Sequence, residues 1–385
     1  MKYLTKFDIS QYDVLVVGAG LTGSLIARHF ADLGKKVLVL DKRNHIAGNL
    51  FDFIDENGIL IQKYGPHVFH TNDEAVNNLI HKYVDTKPYL MRCSVFMHGK
   101  FTPSPFNFKT IDQFYSEQDA IELKNSLLSS FPNQKQVTIV DLLSSKNKTV
   151  KEYAGFLFKS DYSLYTAKQW GIKPEEIDPS VLKRVPVLLN YDEQYFYDKY
   201  QYMPIGGFTS FIEKVLSSDN IDIALNHDFL NEFSLQEGTV FYDKTLVNKK
   251  IYFCGTIDSL MNYKYGHLPY RSLKIFFKTY DRSSYQEAPI TAYPEVKDYT
   301  RITEFSKMPH QVCKKTTVGI EYPVKPNDNN EPYYPILTKE SEEMYQKYLL
   351  ESAKFTQITI CGRLGDFRYY NMDQAIKRVI ELLAH

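Results

Sequence analysis

Gly18-Ala19-Gly20-Leu21-Thr22-Gly23 lies between an apolar run, DVLVV, and a helix-compatible run, SLIARHFADLG. In such a turn the first glycine permits the tight bend and the second lets the backbone approach a pyrophosphate. The third lets the helix pack closely, with its N-terminal amides facing the phosphates. Gly18, Gly20, Thr22 and Gly23 are therefore candidate dinucleotide-binding residues. Asp41 closes the next apolar run, KKVLVLDKR, where an acid would take a ribose hydroxyl. Further on, His67 and His70 stand three residues apart. Without a third ligand nearby they make a poor zinc site, and no metal is expected.

The segment after Asp41 favours FAD over NAD. Arg43-Asn44-His45-Ile46-Ala47-Gly48-Asn49 resembles the Arg-x4-Gly-[Gly/Arg/Asn] stretch of the flavoprotein group that includes amine oxidases. An arginine beside a small-residue turn suits a second grip on an extended dinucleotide, with Lys42, Gly48 and Asn49 in the contact set. A second GxGxxG is missing, so a separate NADPH domain is not expected.

A narrower resemblance follows. Lys63-Tyr64-Gly65-Pro66-His67-Val68-Phe69-His70-Thr71 is similar to the KYG-[AP]-HIFHT signature of UDP-galactopyranose mutases. Thr166-Ala167-Lys168-Gln169-Trp170-Gly171, Lys183-Arg184-Val185-Pro186-Val187, Asp192 to Tyr195-Phe196, and Met203-Pro204-Ile205-Gly206-Gly207-Phe208 continue that family's order. So do Thr300-Arg301-Ile302, Glu331-Pro332-Tyr333-Tyr334-Pro335, Gly362-Arg363-Leu364, Tyr369-Tyr370 and Met372-Asp373. The resemblance runs from Tyr12 to the last helix, and the first eleven residues read as an addition.

The resemblance implies a non-redox ring contraction of a nucleotide-bound pyranose to its furanose, with UDP-galactopyranose as substrate. Reduced FAD would attack the anomeric carbon through N5, and NAD(P)H or a flavin reductase would supply the electrons. Arg184 and Arg301 become the catalytic candidates, because two guanidinium forks can meet a departing nucleoside diphosphate. His67 and His70 would shape the site beside the flavin. Tyr195, Tyr334 and Tyr369 would donate to the diphosphate, Tyr165 would stack on the nucleobase, and Trp170 would border the sugar. Arg363 and Met372 would mark the second flavin contact, at a helix N-terminus. Gly171 and the IKPEEIDPS stretch would form a lid. A homodimer is an allowed assembly.

Three positions depart from the family pattern. Asn371 replaces an acid before Met-Asp, Asp161-Tyr162 replaces an apolar or aromatic pair beside the nucleobase, and Met91 falls where an asparagine would face the sugar. A methionine wall would favour a 6-deoxy sugar, and the altered pair could accommodate thymine's methyl group. Hence dTDP-fucopyranose is the alternative substrate. Rival classes are an ordinary flavin oxidoreductase and a silent nucleotide-sugar-binding protein.

The elements that must position these residues can be read coarsely. The fold class is α/β, α+β overall: a discontinuous Rossmann-type FAD-binding domain (12–86, 200–262 and 340–385), a helical domain (108–182), and an antiparallel sheet domain (87–107, 183–199 and 263–339). Helical spacing fills the middle segment, with Thr149 as N-cap of its second helix. RSLKIFFKTY and HQVCKKTTVGIEY read as strands, and QITICG precedes an amphipathic C-terminal helix. Acidic and basic residues balance at 46 each, so no nucleic-acid partner is expected. Anionic ligands must be met by local arginines. The 30 tyrosines offer polar-tipped aromatic lining wherever they cluster with those arginines. Four scattered cysteines without a CxxC, and no long apolar run, point to a reduced, cytoplasmic protein without membrane insertion.

Overall fold

A computed structural model of the chain describes residues 2–170, 185–324 and 331–384, with the side chains of 169 and 170 also outside the description. Arg184, the ring of Trp170 and the expected lid therefore lie outside the described residues.

Its central layer is a six-stranded sheet in the order Lys2–Tyr3, Ile221–Leu225, Val37–Asp41, Val14–Val17, Lys250–Phe253, Ile358–Ile360. Every neighbouring pair is parallel. Strict side-chain alternation splits these strands between two cores. Val14, Val16, Val37, Val39, Ile221 and Ile223 face one core, with Ile26, Phe211 and Ile376 from three covering helices. Leu15, Leu38, Leu40, Ala224, Ile251 and Phe253 face the other, with Tyr348 and Phe367. Burial on both faces explains why VLVLD reads as a continuous apolar run and is buried at every residue. Lys2 and Tyr3, within the eleven residues that precede the family resemblance, join this layer as its edge strand by pairing with Asp222 and Ile223.

The helices Phe108–Phe114, Glu117–Ser130, Ile139–Leu143, Lys148–Leu157 and Ser163–Trp170 pack around Leu123, Leu127, Leu142, Val150 and Leu157, in a core that also takes in Val95 and Met97 from the strand Cys93–Met97. Its fourth helix is capped by Asn147, not Thr149, since the Asn147 side chain accepts from the Val150 amide at 3.2 Å. Asparagine starts the helix one half-turn earlier than threonine would, and it caps at least as well. A π-turn over Phe158–Tyr162 then shifts the register ahead of the helix that carries Tyr165.

The third layer is a seven-stranded sheet ordered Tyr334–Pro335, Tyr270–Tyr280, Thr316–Val324, Arg301–Glu304, Ile290–Ala292, Cys93–Met97, Lys100–Ser104. It is antiparallel except where Ile290–Ala292 runs parallel to Cys93–Met97. That exception arises where a hairpin from early in the chain joins strands from a later pass. A short sheet, Phe69–Thr71 with Tyr200–Pro204 and Thr86–Pro88, links the layers and carries His70 opposite Gln201. Among the described residues, no helix is long and apolar enough to cross a membrane.

Candidate functional site

The glycine turn is built as backbone sterics require. Gly18 sits at φ +109°, a conformation L side chains rarely adopt, and its amide donates to Leu40 O at 2.7 Å. Gly23 lies so close to the turn that a Cβ there would be 1.9 Å from Gly18 O. Gly20 caps the helix Leu21–Asp32 with no side chain at all, so the first-turn amides remain available to a ligand. Gly48, at φ +54°, packs onto the same turn; its Cβ would come 2.9 Å from Gly20 Cα. Asp41 ties the pieces together, accepting from the Ala19 amide at 2.8 Å and the Arg43 amide at 2.9 Å. Each carboxylate oxygen keeps a second lone pair for a hydroxyl.

These elements open onto a cavity of about 680 Å³. Gly18, Gly20, Thr22 and Gly23 line it from the turn, and Asp41, Lys42, Gly48 and Asn49 from the next loop. His67, Arg363 and Met372 line it from distant segments. Arg43 spans the wall, donating from Nη2 to Asn49 Oδ1 and Glu331 Oε2, both at 3.0 Å, with its guanidinium 4.5 Å from the Tyr64 ring centre. Lys42 is 3.6 Å from the same Glu331 carboxylate. Burial opposes that charge, but Arg43 and Lys42 outweigh it and hold Glu331 below the usual range.

Sequence reasoning missed the rest of the lining. His227, Cys254 and Gly255 belong to it, and they follow the strands Ile221–Leu225 and Lys250–Phe253. With Gly18, Asp41 and Gly362 they mark the carboxyl ends of five parallel strands, where open α/β sheets bind ligands. The only local signal was a glycine just past a buried strand, in IYFCG.

A second group of candidates gathers beside this cavity. Arg301 Nε donates to Glu321 Oε2 at 2.7 Å, and the Glu321 side chain is 1 % exposed. Burial works against the guanidinium charge, but Glu321, Tyr165 and Tyr334 more than restore it. Tyr165 feels Arg301, Glu321, Tyr334 and Tyr195, and burial raises its phenol well above the ordinary value. The rings of Tyr334 and Tyr369 meet edge to face at 5.3 Å, and the Arg363 guanidinium lies 5.8 Å from Tyr369. Arg363 also donates to Tyr370 O.

His67 joins the two groups. It lines the cavity, and it feels both Arg363 and Arg301. Burial first, then those cations, pull its imidazole down to about 4. Nδ1 must carry the proton, because its partner at 2.9 Å is the Gly65 carbonyl, which can only accept. Nε2 is therefore an acceptor. His70 is placed differently: it stacks on Phe196 with ring centres 3.7 Å apart, and its Nδ1 is 2.9 Å from Asp198 Oδ2. It is not among the cavity residues. Tyr195 packs edge to face on Phe196 at 4.9 Å, and its amide donates to Met91 O at 2.8 Å.

The UDP-galactopyranose mutase family model matches residues 161–369, and a model for an NAD(P)-binding Rossmann-like domain matches residues 16–83. A Klebsiella pneumoniae protein described as a probable UDP-galactopyranose mutase is 34 % identical over 372 residues, covering 96 % of this chain and 93 % of that one. The chain belongs to the UDP-galactopyranose mutase family. It is a nucleotide-sugar mutase, an isomerase of a flavoenzyme family. A dTDP-fucopyranose mutase of Escherichia coli is 35 % identical over 376 residues, 96 % of each chain. A crystal structure of reduced UDP-galactopyranose mutase superposes with a TM-score of 0.71 at 18 % identity, covering 97 % of this chain and 93 % of that one. It shows the same fold.

The departures from the family pattern can now be located. Asn371 is the N-cap of the helix Met372–Leu383, and its amide donates to Gln374 Oε1 at 2.9 Å. Asparagine caps as well as aspartate, so the helix terminus beside the cavity is kept without the acid. Met91 is 4 % exposed and packs in the core with Tyr195, Phe196 and Ile290. Tyr162 is 5 % exposed in the helical core, with its hydroxyl bonded to Val185 O at 2.8 Å. Neither side chain presents the ligand-facing surface expected of it from sequence. Burial likewise acts on Asp161, pushing its carboxyl up to about 7.

Proposed function

We propose that the chain interconverts UDP-galactopyranose and UDP-galactofuranose with FAD held in the large cavity. The observation that supports this most is the position of His67, at once on the cavity wall and within the electrostatic reach of Arg301 and Arg363. A dinucleotide site and an anion-receiving cluster thus share a border.

The cavity residues fit an extended dinucleotide. Gly20 and Gly48 keep side chains out of the pyrophosphate path, the capless helix start offers amides, and Asp41 retains acceptors for a ribose. Lys42, Arg43, Asn49 and Arg363 surround it with donors. When bound and reduced, the flavin supplies the nucleophile for the anomeric carbon. The protein's own part is positional and electrostatic. Arg301, held by Glu321, receives charge developing on the leaving diphosphate; Arg184 is assigned the same task from the family motif. Tyr334, Tyr369 and Tyr195 would donate to the diphosphate, Tyr165 would stack on the nucleobase, and Trp170 would border the sugar. His67 stays neutral and adds no charge beside two arginines, while His70 supports the wall through Phe196. Electrons come from NAD(P)H or a flavin reductase in the cytoplasm.

One observation favours a second reading, in which dTDP-fucopyranose is the substrate: the relative bearing that name is 35 % identical. The test compares kcat/KM for both sugars with one anaerobic, dithionite-reduced preparation, reading furanose product by chromatography. A tenfold or greater preference for the UDP sugar supports the first reading, and the opposite preference replaces it. No furanose from either refutes both.

A further inference from the structure

Lys168 lies three residues after Tyr165 on the helix Ser163–Trp170, so both project from one side of it. Its Nζ donates to three backbone carbonyls, Val296 O at 2.5 Å, Tyr293 O at 2.6 Å and Tyr299 O at 2.7 Å. A fourth, Pro294 O, stands at 3.3 Å. An ammonium has three N–H donors, and the loop consumes all of them. That loop leads through Thr300 directly into the strand Arg301–Glu304. The contact therefore joins two units, the helices bearing Tyr165 and the sheet bearing Arg301.

We propose that Lys168 is a positioning residue that fastens the Tyr165 helix to the Arg301 sheet and so sets the width of the nucleotide-binding cleft. Tyr165 and Arg301 come from different layers, which meet through Val95 and Met97 in the helical core and, close to Tyr165 itself, through four carbonyls converging on one cation. Charge supports the arrangement: burial pulls the ammonium down to about 8, while Asp161 and Asp298 oppose the fall, so it stays protonated at neutral pH. Without the cation, the converging carbonyls would lose their common donor and the loop would relax away from the helix. A cleft that has widened must spend binding energy to close on the nucleotide, which weakens ground-state binding before it touches the chemistry.

This inference rests on the mutase reading for its ligand, and the experiment separates the two. UDP and dTDP are titrated into flavin-loaded wild type, K168M, K168Q, K168R and the control K124M. Lys124 pairs with Asp112 at 2.7 Å, and both lie on helices of the helical unit other than the one that bears Tyr165. K168M and K168Q should bind the nucleotide about tenfold more weakly with full flavin content, and K168R should fall between them and wild type. Steady-state KM for the nucleotide sugar should rise in parallel, with kcat within about threefold. Ligand-free hydrogen exchange should accelerate in residues 293–300 and 163–168 for K168M or K168Q, and not for K124M. Wild-type affinity and exchange in K168Q overturn the proposal, as does a fall in kcat with unchanged KM. If K168M does not fold, K168Q and K168R decide by the same criteria. Failure of the wild type to bind either nucleotide would refute the mutase reading, while the exchange comparison would still test the latch.

Discussion

Gly20→Val and Gly23→Ala should fail in opposite ways, although both alter one glycine motif. At position 20 the backbone is at φ −80°, which any residue adopts, and a Cβ would stand 3.7 Å from Gly48 Cα, an ordinary contact. A Cβ therefore fits the folded chain, and replacing glycine at this N-cap costs only about 1 kcal/mol of stability. Valine's methyl groups instead enter the space where backbone must approach a pyrophosphate. Losing two charge-assisted amide–phosphate bonds, at about 1.5 kcal/mol or more each, weakens flavin binding by roughly 100-fold. At position 23 the Cβ would lie 1.9 Å from Gly18 O, against about 3.4 Å for ordinary contact. The turn would have to move by roughly 1.5 Å. Alanine's helix propensity returns about 1 kcal/mol, but overpacking against a backbone carbonyl costs about 1–3 kcal/mol or more. The clash wins. Urea melts of the flavin-free proteins and flavin titration of each separate the two effects. Equal destabilisation of both variants, or full flavin occupancy in Gly20→Val, would refute the reasoning.

Arg301→Ala should lower kcat on the order of 100-fold, with Arg301→Lys recovering only part, because lysine lacks the bidentate fork; near-wild-type turnover would reduce Arg301 to a partner for Glu321. Activity should require reduced flavin while consuming no reductant, so a dithionite-treated preparation should turn over many equivalents anaerobically, and equal rates in the oxidised protein would contradict it. His67 should also shape acid stability. Its folded value of about 4 lies below the unfolded value near 6.5, so the unfolded chain binds the proton first as pH falls. Its contribution is neutral above pH ~6.5 and costs about 2 kcal/mol at pH ~4.5, allowing for partial exposure. His67→Gln should lessen the loss between pH 7 and 4.5 in urea melts; an unchanged difference would mean that the imidazole titrates normally.

Residues whose backbone must meet another backbone were legible without any structure. Gly18, Gly23 and Gly48 occupy positions where a Cβ is forbidden by conformation or contact, and only one residue type satisfies that condition. The strands VLVV and VLVLD were equally plain, because a short continuous apolar run ending at a glycine turn or an acid is the mark of a strand buried on both faces. Positions defined by a partner far along the chain were not. Lys2–Tyr3 became a strand because the edge at Ile221–Leu225 was open to it. His227 and Cys254 reached the cavity because their strands lie beside Val37–Asp41 and Val14–Val17 in the sheet. Met91 and Tyr162 turned into the core, and four carbonyls converged on Lys168, through packing between layers. Local steric demands act on one residue at a time and leave their mark on its type. Which segments meet is decided by the burial of whole faces, and no single residue type records it.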